Sequence, residues 1–261
     1  MLTNRLVCIT GASSGIGRAC ADVFARAGCR LLLVARRRDR LAALADGLAA
    51  ECHLLALDVR NRDAVNAAFE TLPVEWRAID ALVNNAGLSR GLEKVHEGLP
   101  QDWQEMIDTN VKGLLWVTRA LLPDMVARDR GHIINIGSIS GHQVYAGGAV
   151  YCATKYAVRA ITQGLRIDLL GTRVRVSSVD PGMVETEFSL VRFHGDQARA
   201  AAVYRQFPPL QPADVAECVL FCATRPEHVT VMDLVVMPQD QAAVYASYPR
   251  GDATAGASAP R

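Results

Sequence analysis

Long hydrophobic runs are missing from this sequence. No run of roughly 18 or more apolar residues occurs, and the helical stretch from Val111 is interrupted by Lys112, Arg119 and Pro123. The first residues, Met1–Thr10, lead directly into a predicted strand and lack the apolar segment of a signal peptide. We therefore expect a cytoplasmic protein without a membrane partner.

An excess of charge of either sign is missing as well. The sequence has 28 Lys and Arg residues against 27 Asp and Glu residues, which gives a formal net charge of +1 at pH 7. A general attraction to nucleic acid or to an anionic membrane requires a larger imbalance. The composition therefore predicts no nucleic-acid partner, and any basic patch that matters for function must be local.

A cysteine pattern typical of disulfides is missing too, because the cysteine count is odd. The seven cysteines lie in apolar segments spread over the chain: Cys8, Cys20, Cys29, Cys52, Cys152, Cys218 and Cys222. Cys218 and Cys222 are four residues apart on a predicted helix and could share one face, but the nearby sequence offers no further metal ligands. We expect reduced, buried thiols and no metal site.

Short apolar segments alternate with amphipathic ones along the chain, which indicates an α/β fold. The predicted strands are Leu6–Thr10, Arg30–Val34, His53–Leu57, Ala81–Asn84, His132–Gly137, Val174–Val179 and Met232–Met237. Strands that alternate with helices form a parallel sheet with helices on both faces. We expect one domain over residues 1–248, with an inserted loop or small helical excursion at 185–209 and a mobile tail at 249–261.

A glycine-rich segment joins the first predicted strand to the first predicted helix and reads Thr10-Gly11-Ala12-Ser13-Ser14-Gly15-Ile16-Gly17. Glycines at such a turn let backbone N–H groups and a helix N-terminus approach a diphosphate. The spacing differs from the common G-x-G-x-x-G fingerprint, and a glycine cluster can also be a purely structural turn. Its position at the first strand–helix junction favours a nucleotide site.

The end of the second predicted strand bears on the choice between NAD and NADP. NAD sites place an acidic residue there for the ribose hydroxyls, about 20 residues beyond the glycines. Here the sequence reads Val34-Ala35-Arg36-Arg37-Arg38, with no acid before Asp39. A guanidinium can bind a 2′-phosphate through two parallel hydrogen bonds, which a carboxylate would repel. Arg36 is the first candidate and Arg37 the second; the alternative is a solvated start of a helix, which we assign to Arg38.

Polar residues also end the third and fourth predicted strands, at the sheet edge where parallel sheets bind ligands. Asp58 could accept a hydrogen bond from an adenine amino group or cap the following turn. The segment Asn84-Asn85-Ala86-Gly87 could secure the sheet edge, line a ribose, or do both.

Ser138, Tyr151 and Lys155 are the main catalytic candidates. Tyr151 and Lys155 are four residues apart, so they share one face of a helix, and Ser138 ends the fifth predicted strand. A tyrosine must lose about three pK units, or about 4 kcal/mol, to work near neutral pH. A cation about 4 Å away supplies roughly 1 kcal/mol in water but about 4 kcal/mol at an effective dielectric near 20. Lys155 could therefore activate Tyr151 in a partly dry cleft.

Taken together, these motifs resemble the short-chain dehydrogenase/reductase family over residues 3–245. The matching motifs are Thr-Gly-x-x-x-Gly-Ile-Gly, Asn84-Asn85-Ala86-Gly87, Asn110, Ser138, Tyr151-x-x-x-Lys155 and Pro181-Gly182. The resemblance implies a single-domain Rossmann-type, doubly wound sheet of seven parallel strands. It also implies that Tyr151 is the acid/base, that Ser138 holds the substrate oxygen, and that Lys155 binds the ribose and lowers the tyrosine pKa. Asn110 would keep a water in a proton relay.

The same resemblance implies the cofactor contacts, with Thr186 as a ligand of the nicotinamide carboxamide. The expected cofactor-binding residues are Gly11, Ser13, Ser14, Gly15, Ile16, Gly17, Arg36, Arg37, Asp58, Val59, Asn84, Ala86, Gly87, Tyr151, Lys155, Pro181, Gly182, Val184 and Thr186. With Arg36 and Arg37 in the set, NADP is the expected cofactor. Family members commonly form tetramers through two long helices, expected here around Trp103–Arg128 and Tyr151–Leu170, so we expect a homotetramer.

A narrower resemblance is to the NADP-dependent 3-hydroxy acid dehydrogenases, which include enzymes acting on serine and L-allo-threonine. The matching segments are Asp58–Arg62, Met106–Asn110, Gly131–Ser138, Tyr145–Gly148, Glu187–Ser189, Val191–Phe193 and Gly195-Asp196. The spacing from Pro181 to Thr186 follows the wider family instead. The resemblance implies a small 3-hydroxy acid as substrate, held by Ser138 and Tyr151.

A 3-hydroxy acid needs a cation for its carboxylate, and Arg192 in the 185–209 segment is the candidate; the alternative is an exposed loop arginine. His142 and Tyr145 could shape the opposite wall or simply pack the loop. Two other functions stay open: a carbonyl reductase of the same family that acts on an acyl, sugar or aromatic ketone, and a non-catalytic NADP-binding regulator. A regulator would have little reason to retain Ser138, Tyr151 and Lys155 together.

Overall fold

The computed structural model describes residues 2–249, so all of the predicted tail except Pro249 lies outside the described residues. The strands are β1 (Leu6–Thr10), β2 (Arg30–Ala35), β3 (Cys52–Ala56), β4 (Ala81–Asn84), β5 (Gly131–Ile136), β6 (Val174–Pro181), β7 (Asp233–Val236), β8 (Gln241–Ala243) and β9 (Ala246–Ser247). The helices are α1 (Gly15–Arg26), α2 (Arg38–Asp46), α3 (Arg62–Glu70), α4 (Pro100–Ile107), α5 (Leu114–Ala127), α6 (Ala149–Asp168), α7 (Phe188–Arg192), α8 (Gln197–Val203) and α9 (Pro212–Thr224).

Seven strands form one sheet in the order β3-β2-β1-β4-β5-β6-β7, and every neighbouring pair is parallel. Val7 of β1, for example, pairs with Leu31 on one side and with Ala81 on the other. The chain runs outward from β1 in one direction and from β4 in the other, so a crevice opens where the strand order reverses. The predicted doubly wound parallel sheet is confirmed.

The core lies on both faces of this sheet because successive side chains of a strand point to opposite sides. In β1, Val7 and Ile9 join a buried cluster with residues of α1 and α9. Leu6 and Cys8 join the cluster on the other face, which contains residues of α3 and α5. A strand that is buried on both faces must be apolar throughout, which is why alternation of polar and apolar residues is absent from β1.

One predicted long helix, around Trp103–Arg128, is interrupted. The helix α4 ends at Ile107, α5 begins at Leu114, and Asp108–Gly113 between them forms a wider π-helical turn. A π turn changes the backbone hydrogen-bond ladder locally and is frequent at functional sites. Asn110 lies inside this turn. The other predicted long helix is found as α6, shifted by two residues at each end.

Residues 185–209, which we call the 185–209 loop, contain the two short helices α7 and α8. The two ends of this loop meet, because Val184 and Leu210 form a parallel bridge. Two backbone hydrogen bonds of 2.9 Å reinforce the junction, from Glu185 N to Leu210 O and from Leu210 N to Met183 O. The insertion is therefore closed at its base and fixed to the end of β6.

Three further features concern compartment and metals. Within residues 2–249, no helix combines the length and the apolar composition of a membrane span. All seven cysteines are free thiols, and five of them are buried. In the same part of the chain, no three His, Cys, Asp or Glu side chains gather in a way that could hold a metal ion.

Candidate active site

A cleft opens at the carboxyl ends of the strands, where the strand order reverses. Its walls come from the glycine segment, the ends of β2, β4, β5 and β6, the start of α6, and the 185–209 loop. The predicted residues that line it are Gly11, Ser13, Ser14, Gly15, Ile16, Arg36, Arg37, Asp58, Val59, Ala86, Gly87, Ser138, Tyr151, Lys155, Pro181, Gly182, Val184, Thr186 and Arg192. Three predicted residues, Gly17, Asn84 and Asn110, lie behind this lining.

The glycine segment has the geometry that a diphosphate requires. Gly11 and Gly15 have positive φ angles of 65° and 52°, which glycine adopts without strain. A Cβ on Gly17 would lie 2.4 Å from the carbonyl oxygen of Gly11, so no side chain fits between this loop and the first turn of α1. Ser14, at the N-cap of α1, makes no side-chain capping bond, so the first N–H groups of the helix are left for an anion. These residues fit a dinucleotide.

Asn85 fixes the glycine segment to the sheet edge, which is one of the roles considered for Asn84–Gly87. Its Nδ2 donates to the carbonyl oxygens of Thr10 at 2.9 Å and Gly11 at 3.2 Å. Asn84, which was expected at the cofactor, is instead buried in the sheet, where its Nδ2 donates to Thr118 Oγ1 at 2.9 Å. Because successive residues at a strand end point in opposite directions, only one of the two asparagines can face the glycine segment.

The arginines after β2 lie at the end of the cleft beside the glycine segment. Arg37 Nη2 donates to Ser13 Oγ at 3.2 Å and to Ser14 Oγ at 3.3 Å, and Arg36 lines the cleft next to it. The Arg37 guanidinium and two hydroxyls therefore meet at one place with Arg36 beside them in the lining, which suits the 2′-phosphate of NADP. No carboxylate occupies the end of β2, where NAD-specific sites have one.

Asp58 lies at the neighbouring strand end, but its carboxylate is already engaged. Arg60 donates from Nε to Oδ1 at 3.0 Å and from Nη2 to Oδ2 at 2.6 Å. Burial alone would raise the pKa of Asp58, but the hydrogen bonds and charge of Arg60 outweigh it and hold the pKa below its usual value. An adenine amino group would share this carboxylate with Arg60.

The catalytic candidates come together as predicted from their positions at the end of β5 and on one face of α6. Ser138, Tyr151 and Lys155 are each 8% exposed and line the cleft. Lys155 Nζ donates to the carbonyl oxygen of Ile136 at 2.9 Å and lies 6.0 Å from the centre of the Tyr151 ring. The amino group thus approaches the tyrosine from the floor of the cleft, where β5 ends.

Burial controls the titration of this group. It raises the pKa of Tyr151 far above the usual value, as does Tyr145 to a smaller degree, whereas Arg192 and a hydrogen bond with Ser138 lower it. It also lowers the pKa of Lys155 to about 8, against the opposing effect of the Asp180 carboxylate. The lowering of the tyrosine pKa by Lys155, which the family resemblance implies, stays a prediction.

Asn110 holds the wall of the cleft rather than lining it. Its Oδ1 accepts from Leu88 N at 2.8 Å, and its Nδ2 donates to Leu88 O at 2.8 Å and to Thr154 Oγ1 at 3.0 Å. These bonds fix the π turn to the segment after β4 and to α6, the helix that carries Tyr151 and Lys155. Both N–H groups of the amide are engaged in this way and Oδ1 accepts one hydrogen bond, while the water relay expected of Asn110 stays a prediction.

Arg192 enters the cleft from the 185–209 loop and lies beside the catalytic tyrosine. Its Nη2 donates to Tyr145 Oη at 2.9 Å, and its Cζ lies 5.4 Å from the centre of the Tyr151 ring and 4.9 Å from that of Phe188. Its Nε is buried without a hydrogen-bond partner. Arg192 is therefore half-buried in the cleft, not an exposed loop arginine. Tyr145 lines the cleft with it.

The position of Arg192 depends on contacts that no motif signals. Arg90 Nη1 donates to Val191 O at 2.5 Å, and Gly91 N donates to Arg192 O at 2.9 Å. Arg90 Nε is in turn bonded to Glu105 at 2.8 Å. Because α7 has only five residues, the carbonyl oxygens of Val191 and Arg192 have no partner in a following turn of helix. Arg90 and Gly91 donate to these oxygens and so stabilise the end of α7.

His142 does not face the cleft. Its Nε2 lies 2.6 Å from Asp180 Oδ2, so the packing alternative describes it better than a role in the cleft wall. Gln241, in contrast, reaches the cleft from the segment after β7 and accepts from Met183 N at 2.8 Å. It belongs to no recognisable motif, which is why the sequence did not point to it.

Comparisons with known proteins agree with this geometry. The family model for short chain dehydrogenases matches residues 5–195. An NADP-dependent 3-hydroxy acid dehydrogenase of Salmonella typhi is 49% identical over 237 residues, which cover 90% of this chain and 96% of the relative. A sulfoacetaldehyde reductase of Chromohalobacter salexigens is 48% identical over 240 residues, or 91% of this chain and 95% of the relative.

Among solved structures, the closed form of a serine dehydrogenase in complex with NADP+ superposes with a TM-score of 0.89 at 46% identity and covers 98% of this chain and 99% of its own. The resemblance that the sequence motifs suggested is confirmed, both to the wider family and to the 3-hydroxy acid dehydrogenases. The chain therefore belongs to the short-chain dehydrogenase family.

Proposed function

We propose that this protein is an NADP-dependent oxidoreductase that interconverts a small 3-hydroxy acid, such as serine or L-allo-threonine, and the corresponding carbonyl compound. The observation that carries the proposal is Arg192, a cation 5.4 Å from the ring of Tyr151 with a buried Nε that has no partner. A carboxylate two bonds from the reacting carbon would bind there while its hydroxyl reaches Tyr151. The names of the relatives point to the same substrate class.

Each catalytic candidate has a role that its contacts support. Ser138 holds the substrate oxygen next to Tyr151, and Tyr151 takes the hydroxyl proton during oxidation or returns it during reduction. Lys155, whose Nζ donates a hydrogen bond to Ile136 O, binds the ribose and places a positive charge near the tyrosine. When bound at the glycine segment, NADP supplies the nicotinamide that accepts or donates the hydride.

A second class of acid fits the same site. One relative is a sulfoacetaldehyde reductase, and the alcohol formed from sulfoacetaldehyde carries a sulfonate. In that alcohol, as in a 3-hydroxy acid, one carbon separates the hydroxyl-bearing carbon from the central atom of the anion. Arg192 could bind either anion. Initial rates with 3-hydroxy acids, 2-hydroxyethanesulfonate and simple alcohols, with NADP and NAD in parallel, distinguish these classes and test the carbonyl reductase and regulator alternatives.

We expect a strong preference for NADP over NAD, because Arg36 and Arg37 occupy the place of the acid that selects NAD. Replacement of either arginine by Ala removes a charge-assisted hydrogen bond, so the KM for NADP should rise roughly ten- to a hundredfold, whereas the KM for NAD should change little. Steady-state kinetics with both cofactors measure this. The control is Arg38→Ala, which removes a guanidinium from an exposed neighbouring residue. Equal use of NADP and NAD by the unmodified protein would contradict the assignment.

We further propose a homotetramer in the cytoplasm. The two helices that the family resemblance assigns to assembly, α5 and α6, carry exposed apolar side chains at Leu115, Val126, Tyr156 and Ile167. Such side chains on neighbouring helices are typical of subunit interfaces. The free thiols suit a reducing compartment. Light scattering should give the mass of four chains, and Ile167→Glu should lower it; a monomer mass for the unmodified protein would contradict the proposal.

A further inference from the structure

Glu187 lies directly before α7 and pairs with two arginines from the other side of the cleft. Arg40 Nη1 donates to its carboxylate oxygens at 2.8 and 3.1 Å, and Arg37 Nη1 lies 3.5 Å from Oε2. Arg37 uses its other terminal nitrogen for Ser13 and Ser14 of the glycine segment. We call the contacts of Glu187 with Arg37 and Arg40 the Glu187 bridge. It joins the 185–209 loop to the end of the cleft assigned to the 2′-phosphate.

The Glu187 bridge lies beside the glycine segment, because Arg37 contacts Ser13 and Ser14 as well as Glu187. Thr186, next to Glu187, approaches the glycine segment so closely that a Cβ on Gly15 would be 3.2 Å from the Thr186 γ-methyl carbon. The loop comes from the end of β6, and the two arginines follow β2, so the bridge connects the two halves of the doubly wound sheet. A dinucleotide bound at the N-terminus of α1 would be enclosed between the glycine segment and the loop.

The exposure of the Glu187 bridge indicates that it can open. The side chains of Glu187, Arg37 and Arg40 are each 43–44% exposed, and exposed ion pairs contribute little to stability. The other end of α7 is held more firmly, by Arg90 and Gly91, where Arg90 is 19% exposed. The backbone on both sides of Glu187 is therefore anchored, at Glu185 by Leu210 and at Arg192 by Gly91, and the exposed Glu187 bridge between these points is the contact that can open.

We propose that the Glu187 bridge closes over bound NADP(H) and that its opening controls release of the cofactor. Glu187 and Arg40 are positioning residues, since Arg40 lies outside the cleft lining and acts through Glu187. Arg37 takes part on both sides, because one terminal nitrogen faces the glycine segment and the other faces Glu187. The inference rests on the proposed function only for the identity of the dinucleotide.

The test measures dissociation of NADPH from the full chain without substrate, by stopped-flow fluorescence after mixing with excess NADP+. Glu187→Gln keeps the size of the side chain and removes its charge, so the dissociation rate should rise about three- to tenfold. Arg40→Gln should have a smaller effect in the same direction, because the contact of Arg37 with Glu187 remains, and the double variant should add little to Glu187→Gln alone. Added salt should accelerate release from the unmodified protein more than from Glu187→Gln, since it screens the bridge.

The matched control is Arg38→Gln, which removes the same charge from the first turn of α2. Arg38 makes no hydrogen bond or ion pair within the described part of the chain, so its replacement should leave the release rate unchanged. Unchanged or slower release from Glu187→Gln would overturn the proposal; slower release would mean that the carboxylate merely repels the 2′-phosphate. Additive effects of Glu187→Gln and Arg40→Gln would overturn it too. Failure of the proposed function would be seen separately, as no NADPH binding by the unmodified protein.

Discussion

Tyr151→Phe should lose turnover by a factor of about 10² to 10⁴ and keep both its fold and its affinity for NADPH. The substitution removes the hydroxyl that transfers the proton. It leaves the ring, which packs edge-on against Phe188 with 5.6 Å between the ring centres. The rate constant kcat at saturating NADP and substrate measures the first effect, and a fluorescence titration with NADPH measures the second.

Tyr156→Phe is the control for this variant. Tyr156 lies on the same helix but is 40% exposed and does not line the cleft, so loss of its hydroxyl should leave turnover unchanged. Substantial activity in Tyr151→Phe would show that the acid/base lies elsewhere. Loss of NADPH binding together with turnover would show instead that the hydroxyl is needed to assemble the site.

The same assignment fixes the direction of the pH dependence. Burial raises the pKa of Tyr151 and lowers the pKa of Lys155 to about 8, so the cleft disfavours the charged form of both groups. Oxidation needs the deprotonated form of Tyr151, because Tyr151 must accept the hydroxyl proton of the substrate. Its kcat/KM should therefore rise with pH, whereas reduction, which needs that proton, should fall. In Tyr151→Phe the residual rate should lose this dependence.

Arg192→Leu should lower kcat/KM for 3-hydroxy acids by about ten- to a hundredfold and change kcat/KM for a neutral alcohol little. The buried Nε of Arg192 and its neighbouring Nη could donate two parallel hydrogen bonds to a carboxylate, and leucine offers none. Because Arg192 also lowers the pKa of Tyr151, both substrates are compared at a pH where oxidation has reached its plateau.

Arg199→Leu is the matched control for Arg192→Leu. Arg199 lies in the same loop but on its exposed side, with its Cζ 4.4 Å from the centre of the Phe193 ring, and it does not line the cleft. Its replacement should change activity on neither substrate. An equal loss for acids and neutral alcohols in Arg192→Leu, or no loss for either, would mean that the carboxylate is bound by another group.

The sheet and the catalytic group could be predicted because each depends on the spacing of residues within a short segment of sequence. The bounds of β1 and β4 match the prediction, and Tyr151 and Lys155 share a face because four residues make about one turn of helix. The position of Ser138 followed from the rule that ligands gather where parallel strands end. Together these rules were sufficient to place the cleft.

What the sequence did not reveal depends on contacts between distant segments. The π turn around Asn110 leaves no mark on the apolar spacing, because it alters the helix by a single residue. Which of Asn84 and Asn85 contacts the glycine segment depends on the direction of each side chain at the end of β4. Arg90 and Glu187 act through partners 101 and 147 residues away, so no window of sequence contains either contact.

The closed base of the 185–209 loop separates two parts of the protein that can change independently. Val184 and Leu210 pair whatever lies between them, so residues can be inserted, deleted or exchanged there without moving β6 or α9. Such changes cost little, because the entropy of closing a loop grows slowly with its length. Ser138, Tyr151 and Lys155 come from the sheet and α6, whereas the cation for the acid, Arg192, comes from the loop and also acts on the pKa of Tyr151. A lineage with this architecture can acquire new substrates by altering one surface segment while Ser138, Tyr151 and Lys155 stay in place.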